Sequence, residues 1–432
     1  MHQKCIKCGE KYPINQIIYR CKKCGSLLDI IHDLEELKKL NLKELFDKRW
    51  KSRQFPYTSG VWRYKELILP IEDKYIISRP EGNTNLYSMQ SLMDYTGSRW
   101  LKLKHEGENP TGSFKDRGMT TGVSQANVLG SKVVACASTG NTSASLAAYG
   151  RFGKFKVIIF IPEGKIAYGK LSQALAYGAM TFQIRGNFDD AMALVQEASA
   201  ELNLYLLNSV NAFRLEGQKA IVFELLQQLN WEVPDWLVCP GGNLGNSSAF
   251  GKGFKELEEL GIISAMPRVA IIQAEGSNPL YLSYKTDFKE HIEVENPETI
   301  ATAIKIGKPV NHIKAVRTIR WTNGVVEQVS EQEILDAKAQ VDGAGIGAEP
   351  ASCATVAGIK KLIENGIIDK KDKVTGILTG NLLKDPDATI NYHLDKIPNI
   401  KPQFPNKPIV IDANLDALKK ALKGSMPEQV IS

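Results

Sequence analysis

The sequence predicts an α/β protein built on mainly parallel sheets, and three observations predict it. Short, near-continuous apolar runs recur from about residue 98 to about residue 379: 99-RWLKLK, 132-KVVACAS, 156-KVIIFIP, 181-TFQIR, 204-LYLLNSV, 235-DWLVCPG, 268-RVAIIQA and 373-KVTGILT. Amphipathic helical stretches separate them, the pattern of strands buried on both faces by covering helices. Several runs end directly in clusters of Gly, Ser, Thr and Asn. Open parallel sheets bind ligands beyond the carboxyl ends of their strands, so those clusters are where chemistry is expected.

Composition sets the outer bounds. With 432 residues, 43% hydrophobic and 24% charged, the chain has material for two or three domains and a sizeable core. Its excess of basic over acidic residues is only +6, a mild bias that suits a small anionic ligand and is no nucleic-acid signature. No apolar run approaches the ~20 residues of a membrane helix, and the N-terminus MHQKCIKCGE has no apolar stretch behind its basic residues. The expectation is a soluble, cytoplasmic protein with neither a membrane nor a nucleic-acid partner.

Taken in order, residues 1–30 form a compact Cys, Gly and Pro unit. Cys5-x-x-Cys8 is followed after twelve residues by Cys21-x-x-Cys24, with Gly9 and Gly25 closing each pair. Two such turns can bring four thiolates onto one tetrahedral Zn²⁺, which would be structural because no coordination position stays open. The competing reading is a degenerate ribbon that folds without metal. Cys136, Cys239 and Cys353 are scattered singly, which argues against a secreted disulfide framework. Residues 31–80 read as a helical linker and N-terminal arm. After Asp385 the tail, 386–432, carries five prolines up to Pro408 and then 411-IDANLDALKKALKG, expected as a surface helix.

Three segments of the intervening body, 81–385, draw attention. In 105-HEGENPTGSFKDRG, Lys115 follows a Pro-Thr-Gly turn and precedes a helix-like stretch. Burial there would lower its pKa and leave a nucleophilic amine, although a lone lysine in a helix's first turn is usually solvated. The strand 132-KVVACAS runs into 138-STGNTSAS, where Asn141 lies near a helix start and backbone N–H groups with short hydroxyls can make an anion pocket, or merely a helix cap. The strand 235-DWLVCPG runs into 241-GGNLGNSSAF, whose glycines let backbone amides approach a phosphate at a helix N-terminus. That spacing is neither a Walker loop nor a dinucleotide fingerprint.

Together these segments resemble the tryptophan-synthase-like, fold type II family of pyridoxal-phosphate enzymes. The resemblance spans most of the chain through 58-TSGVWRYKELILP, 81-EGNTNL, 105-HEGENPTGSFKDRG, 138-STGNTSAS, 208-NSVNAFRLEGQK, 241-GGNLGN, 347-GAEPASCATVAG and 377-ILTGNLLKDP. It implies a two-lobed catalytic body, with the smaller lobe at approximately 120–205. It also implies pyridoxal 5'-phosphate as cofactor, Lys115 as its Schiff-base lysine and catalytic base, Phe114 beside the ring and Asn141 on the 3′-oxygen. Gly242, Asn243, Leu244, Gly245 and Asn246 would cradle the cofactor phosphate, and Thr379 would face the pyridine nitrogen. A hydroxyl cannot protonate that nitrogen as a carboxylate would, so the ring would be a weaker electron sink.

The same resemblance implies a phosphorylated amino acid as substrate, O-phosphohomoserine, converted to threonine by γ-elimination of phosphate and addition of water at Cβ. Ser138, Thr139, Thr142, Asn208, Ser209 and Arg214 would bind it, the arginine through its two-pronged guanidinium. A homodimer is implied as well. Thr84-Asn85-Leu86, Cys353 and Asn381 depart from the usual blocks and bear on substrate details rather than on the cofactor. Two alternatives stay open: a β-replacement enzyme acting on O-phosphoserine with a sulfur nucleophile, and a catalytically inactive relative that binds through its zinc ribbon.

Overall fold

A computed structural model describes residues 1–164, 168–186 and 188–422. The N-terminal unit is a three-stranded antiparallel sheet in the order β2-β1-β3, with β1 His2–Cys5, β2 Lys11–Tyr12 and β3 Leu28–Ile31. Where a connecting helix was expected, the chain makes two short helices, Leu34–Lys38 and Leu42–Trp50. The break falls at Asn41, whose side chain accepts from Glu44 N and caps the second helix.

The body holds two sheets. The larger has six strands in the order β12-β11-β10-β13-β5-β4. Its members are β4 Leu86–Tyr87, β5 Leu101–His105, β10 Trp236–Pro240, β11 Arg268–Ala274, β12 Val325–Val329 and β13 Val374–Leu378. All neighbours run parallel except β4 against β5. The smaller is wholly parallel, β8-β7-β6-β9, from β6 Val133–Ala137, β7 Lys156–Pro162, β8 Met180–Ile184 and β9 Tyr205–Leu206.

The continuous apolar runs follow from burial on both faces. In β10, Leu237 and Cys239 enter one core while Trp236 and Val238 enter the other, and in β11 Val269 and Ile271 alternate with Ala270 and Ile272 in the same way. Every second residue faces the opposite side of a strand, so a sheet covered twice needs apolar residues at both. The small sheet repeats this: Val134 and Cys136 face one core, Ala135 and Ala137 another.

The helix Lys115–Val128 packs against the helix Ala212–Gln228 at very close range, which glycine permits. A Cβ on Gly217 would lie 2.0 Å from the Arg117 carbonyl oxygen, and one on Gly118 would lie 2.6 Å from the Arg214 carbonyl oxygen. That contact sets Lys115 and Arg214 near one another.

The N-terminal sheet docks through buried charge. Asp29 of β3 pairs with Lys314 at 2.9 Å and Arg317 at 2.6 Å, Lys314 also donates to the Leu28 carbonyl, and His32 meets Glu216 at 2.6 Å. Among the described residues no helix is long and apolar enough to cross a membrane. The tail forms a helix at Leu415–Leu422 with no buried residue; the last two residues of the expected surface helix, and 425–432, lie outside the described residues.

Candidate active site

Strand ends of both sheets supply the site. Beyond β5 the chain turns through Ser113, which bridges to Gly380, and Phe114 donates its N–H to the Thr379 carbonyl at 3.0 Å. Lys115 then opens its helix, with Nζ 4.4 Å from the centre of the Phe114 ring. The residue is half-buried. Burial, and next the charge of Arg214, push its amine from 10.5 down to about 7, against the opposing pull of Glu349. No carboxylate pairs with it among the described residues, so near neutral pH a large share is free amine and nucleophilic.

Beyond β6, Gly140 precedes a helix that starts at Asn141. The Asn141 amide donates to both carboxylate oxygens of Glu349 at 3.1 Å, while its own Oδ1, buried, has no partner among the described residues. Ser138 Oγ accepts from Gly140 N at 3.2 Å, Thr139 is half-buried and Thr142 is buried in the helix's first turn.

Beyond β10 the loop Gly241–Leu244 enters the helix Gly245–Glu259. Leu244 is held at φ +61°, a left-handed conformation that costs a non-glycine residue about 1–2 kcal/mol and is tolerated where surroundings enforce it. The loop is clamped from the far side, since Asn311 N donates to the Asn243 carbonyl at 3.2 Å and Val310 N to Asn243 Oδ1 at 3.3 Å. Asn246, in the first turn, is buried, and neither of its side-chain polar atoms has a partner among the described residues. Unspent amide groups at the N-terminus of a fifteen-residue helix make a receptive site for a phosphate.

Arg214 is 1% exposed; Nη1 donates to the Leu207 carbonyl at 2.9 Å, while Nε and Nη2 have no partner among the described residues. Burial lowers its pKa to about 10, and no carboxylate pairs with it among the described residues. Asn208, by contrast, is committed at both ends, taking Ala137 N at 3.0 Å and giving to the Ala137 carbonyl at 2.8 Å. The Ser209 carbonyl accepts from the Asn311 amide at 3.2 Å. Beyond β13, Thr379 is buried, with Oγ1 3.1 Å from Ser352 Oγ.

The residues present fit pyridoxal phosphate: an amine of lowered pKa, an unspent helix N-terminus for a phosphate and a buried hydroxyl at Thr379. The comparisons agree. The model of the pyridoxal-phosphate-dependent enzyme family matches residues 77–380. Threonine synthase of Methanocaldococcus jannaschii is 49% identical over 425 residues, covering 98% of this chain and all of that one.

The chain belongs to the threonine synthase family of pyridoxal-phosphate-dependent enzymes.

Threonine synthase 2, chloroplastic, of Arabidopsis thaliana is 41% identical, with 96% of this chain and 83% of that protein covered. Among solved structures, Escherichia coli threonine synthase superposes with a TM-score of 0.66 over 99% of this chain and 100% of its own, at 17% identity. Maize serine racemase superposes with 0.62 over 73% of this chain and 93% of its own, at 21% identity. Those two likenesses speak to the fold alone, two lobes of mostly parallel sheet.

Four residues at this threonine synthase-family site had no role assigned from sequence. Glu349 and Ser352 stand inside 347-GAEPASCATVAG, one of the blocks that carry the resemblance. Gln218 and Asn311 each leave a buried side-chain oxygen unpartnered, and an added Cβ on Gly245 would lie 3.5 Å from Gln218 Oε1 and 3.7 Å from Asn311 Nδ2. An extra glutamine in a helix gives no local signal of such convergence.

The N-terminal cysteines also converge. Cys5 and Cys24 sulfurs are 3.5 Å apart, Cys8 and Cys21 likewise, and all four lie within 4.8 Å of one another. A second cluster with ligand-like spacing, His32, Glu216 and Glu256, is filled by lysines instead. Lys219 meets Glu216 at 2.6 Å and Glu256 at 2.5 Å, and Lys252 pairs with both.

Proposed function

We infer that this chain converts O-phospho-L-homoserine and water to L-threonine and phosphate, with pyridoxal phosphate as its cofactor. The observation that carries the substrate's phosphate is Arg214. A buried guanidinium with two unspent N–H groups and no carboxylate among the described residues is costly unless an anion completes it, and its charge acts on the Lys115 amine. The cofactor's phosphate has its own candidate place, Gly242, Asn243, Leu244, Gly245 and Asn246. Two anion sites on one lysine suit a phosphorylated cofactor and a phosphorylated substrate.

Bound there, pyridoxal phosphate supplies the electron sink that makes carbon–hydrogen bonds near the amino group acidic. Lys115 would hold it, and its neutral amine would serve as the base that takes a proton from Cα and then one from Cβ of the substrate. Arg214 holds the phosphate that departs from Cγ, with Ser138, Thr139, Thr142, Asn208 and Ser209 around the amino acid. The closed ends of Asn208 support a part in shaping the wall rather than in direct contact. By the resemblance, Phe114 would pack beside the ring, Asn141 would hold the 3′-oxygen and Thr379 would meet the pyridine nitrogen.

The test is phosphate release from O-phosphohomoserine beside O-phosphoserine on protein of known cofactor content. Release with threonine appearing is the expected result; turnover of O-phosphoserine alone, with a sulfur nucleophile, would overturn the reading.

We further propose that Cys5, Cys8, Cys21 and Cys24 hold one structural Zn²⁺. Supporting this, sulfurs on a zinc tetrahedron with ~2.3 Å bonds lie ~3.8 Å apart, and the observed separations run from 3.5 Å to within 4.8 Å. One zinc released per chain on thiol modification is the expected outcome. A homodimer in the cytoplasm completes the reading, on the strength of the resemblance, and sedimentation of the loaded protein tests the first part.

A further inference from the structure

Ser352 and Thr379 pose a question of hydrogen bookkeeping. A hydroxyl has one hydrogen to give and two lone pairs to receive with. Ser352 Oγ receives two backbone N–H groups, from Thr379 at 2.8 Å and from Gly380 at 2.9 Å. Neither amide can act as anything but a donor, so both lone pairs are taken. The serine's hydrogen then has two acceptors within reach, Thr379 Oγ1 at 3.1 Å and the Gly380 carbonyl at 3.4 Å. The second lies at the edge of a useful hydrogen bond, and the first is the better of the two.

The arrangement is held rigidly. Ser352 is fully buried in the first turn of the helix Pro350–Glu364, and one turn on Thr355 Oγ1 donates to the Ile377 carbonyl at 3.0 Å, stitching that helix to β13. Thr379 is 4% exposed, and Ser352 is the one partner of its hydroxyl among the described residues.

We propose that Ser352 is a positioning residue that fixes the polarity of the Thr379 hydroxyl. By donating to Thr379 Oγ1 it leaves the threonine's own hydrogen to be given into the site. The inference rests on the reading above that Thr379 meets the pyridine nitrogen. Ser352 Oγ has no lone pair left to receive that hydrogen, and no other protein acceptor for it is present among the described residues. An unprotonated ring nitrogen would take it, whereas accepting from a protonated one on the remaining lone pair would leave a buried hydroxyl hydrogen without a partner. The pair therefore keeps the ring nitrogen unprotonated and restrains the cofactor as an electron sink, a limit that threonine alone, free to rotate, would not impose.

The test is the ¹⁵N NMR shift of the ring nitrogen in holoenzyme reconstituted with ¹⁵N-labelled pyridoxal phosphate, followed through neutral pH. Wild type is expected to show an unprotonated, hydrogen-bonded nitrogen that does not titrate. Ser352→Ala is expected to move that shift and make it pH-dependent, Ser352→Thr to restore it, and Ser352→Ala to add nothing in a Thr379→Val background. Should Ser352→Ala fail to fold, Ser352→Cys carries the test, because a thiol is a poor donor and should reproduce the shift change. A wild-type nitrogen that is protonated, or a shift unmoved in folded, cofactor-loaded Ser352→Ala or Ser352→Cys, would overturn the proposal while leaving the proposed reaction standing. Protein that takes up no pyridoxal phosphate would overturn both.

Discussion

Lys115 and Arg117 are two residues apart on one helix, and Arg214 and Glu224 share another, yet they belong to two regions of opposite character. Around Arg117 and Glu224 every charge is answered. Arg117 meets Glu106 at 2.7 Å and Glu224 at 2.8 Å, and Glu224 also receives Lys104 at 2.6 Å and Arg63 at 2.7 Å. Burial alone would raise the Glu224 pKa, but the charges of Arg117, Lys104 and Arg63 hold it well below the usual carboxylate range. Around Lys115 and Arg214 the charges are unanswered, and burial pushes both pKa values down instead. A satisfied buried network holds a fold, whereas a buried charge left without a partner marks where a ligand completes the protein.

That contrast can be broken by substitution. The largest effect belongs to Lys115→Met, which abolishes turnover and the covalent cofactor adduct while leaving the fold in place. It also removes a pH dependence. With a folded pKa of about 7, Lys115 binds fewer protons than the unfolded chain up to its ordinary value of 10.5. Stability of the cofactor-free protein should therefore rise with pH across that window and fall back as pH drops to 7. Denaturation midpoints of wild type and Lys115→Met, taken over the window, should show a slope that the variant has lost.

Glu224→Gln comes next, because it strands two buried cations, Lys104 and Arg63, and leaves Arg117 to Glu106 alone. Removing one member of such a network costs about 3–5 kcal/mol, read as a lower urea midpoint at unchanged m-value. Arg214→Leu is the smaller change and has the opposite sign on stability. The cofactor-free variant should be no less stable than wild type, since an unpaired buried charge has gone. Its kcat/KM on the phosphorylated substrate should fall by one to two orders of magnitude, the equivalent of about 1.5–3 kcal/mol for a charged hydrogen bond. If Arg214→Leu destabilised the protein as Glu224→Gln does, the distinction between the two regions would fail.

Much of the fold was legible because double-sided burial writes itself into sequence. Each of the eight apolar runs overlaps a strand of one of the two body sheets. β12, 325-VVEQV, escaped notice because it is an edge strand whose Glu327 and Gln328 stay half-exposed and interrupt the apolar run. At the site, Lys115 and the 241–246 loop were visible as motifs, and Arg214 through resemblance. What sequence could not convey is partnership. Nothing in 208-NSVNAFRLEGQK says that Asn208 is spent on Ala137 while Arg214 keeps two nitrogens free, and nothing in ASCATV distinguishes Ser352 from a packing serine. Those properties arise only when distant strand ends meet.

The most direct measurement is borohydride reduction of the pyridoxal-phosphate-loaded protein, followed by peptide mass spectrometry. The account predicts one phosphopyridoxyl group per chain, on the peptide bearing Lys115 and absent from Lys115→Met. A reduced adduct on any other lysine, or none on protein with bound cofactor, would contradict it.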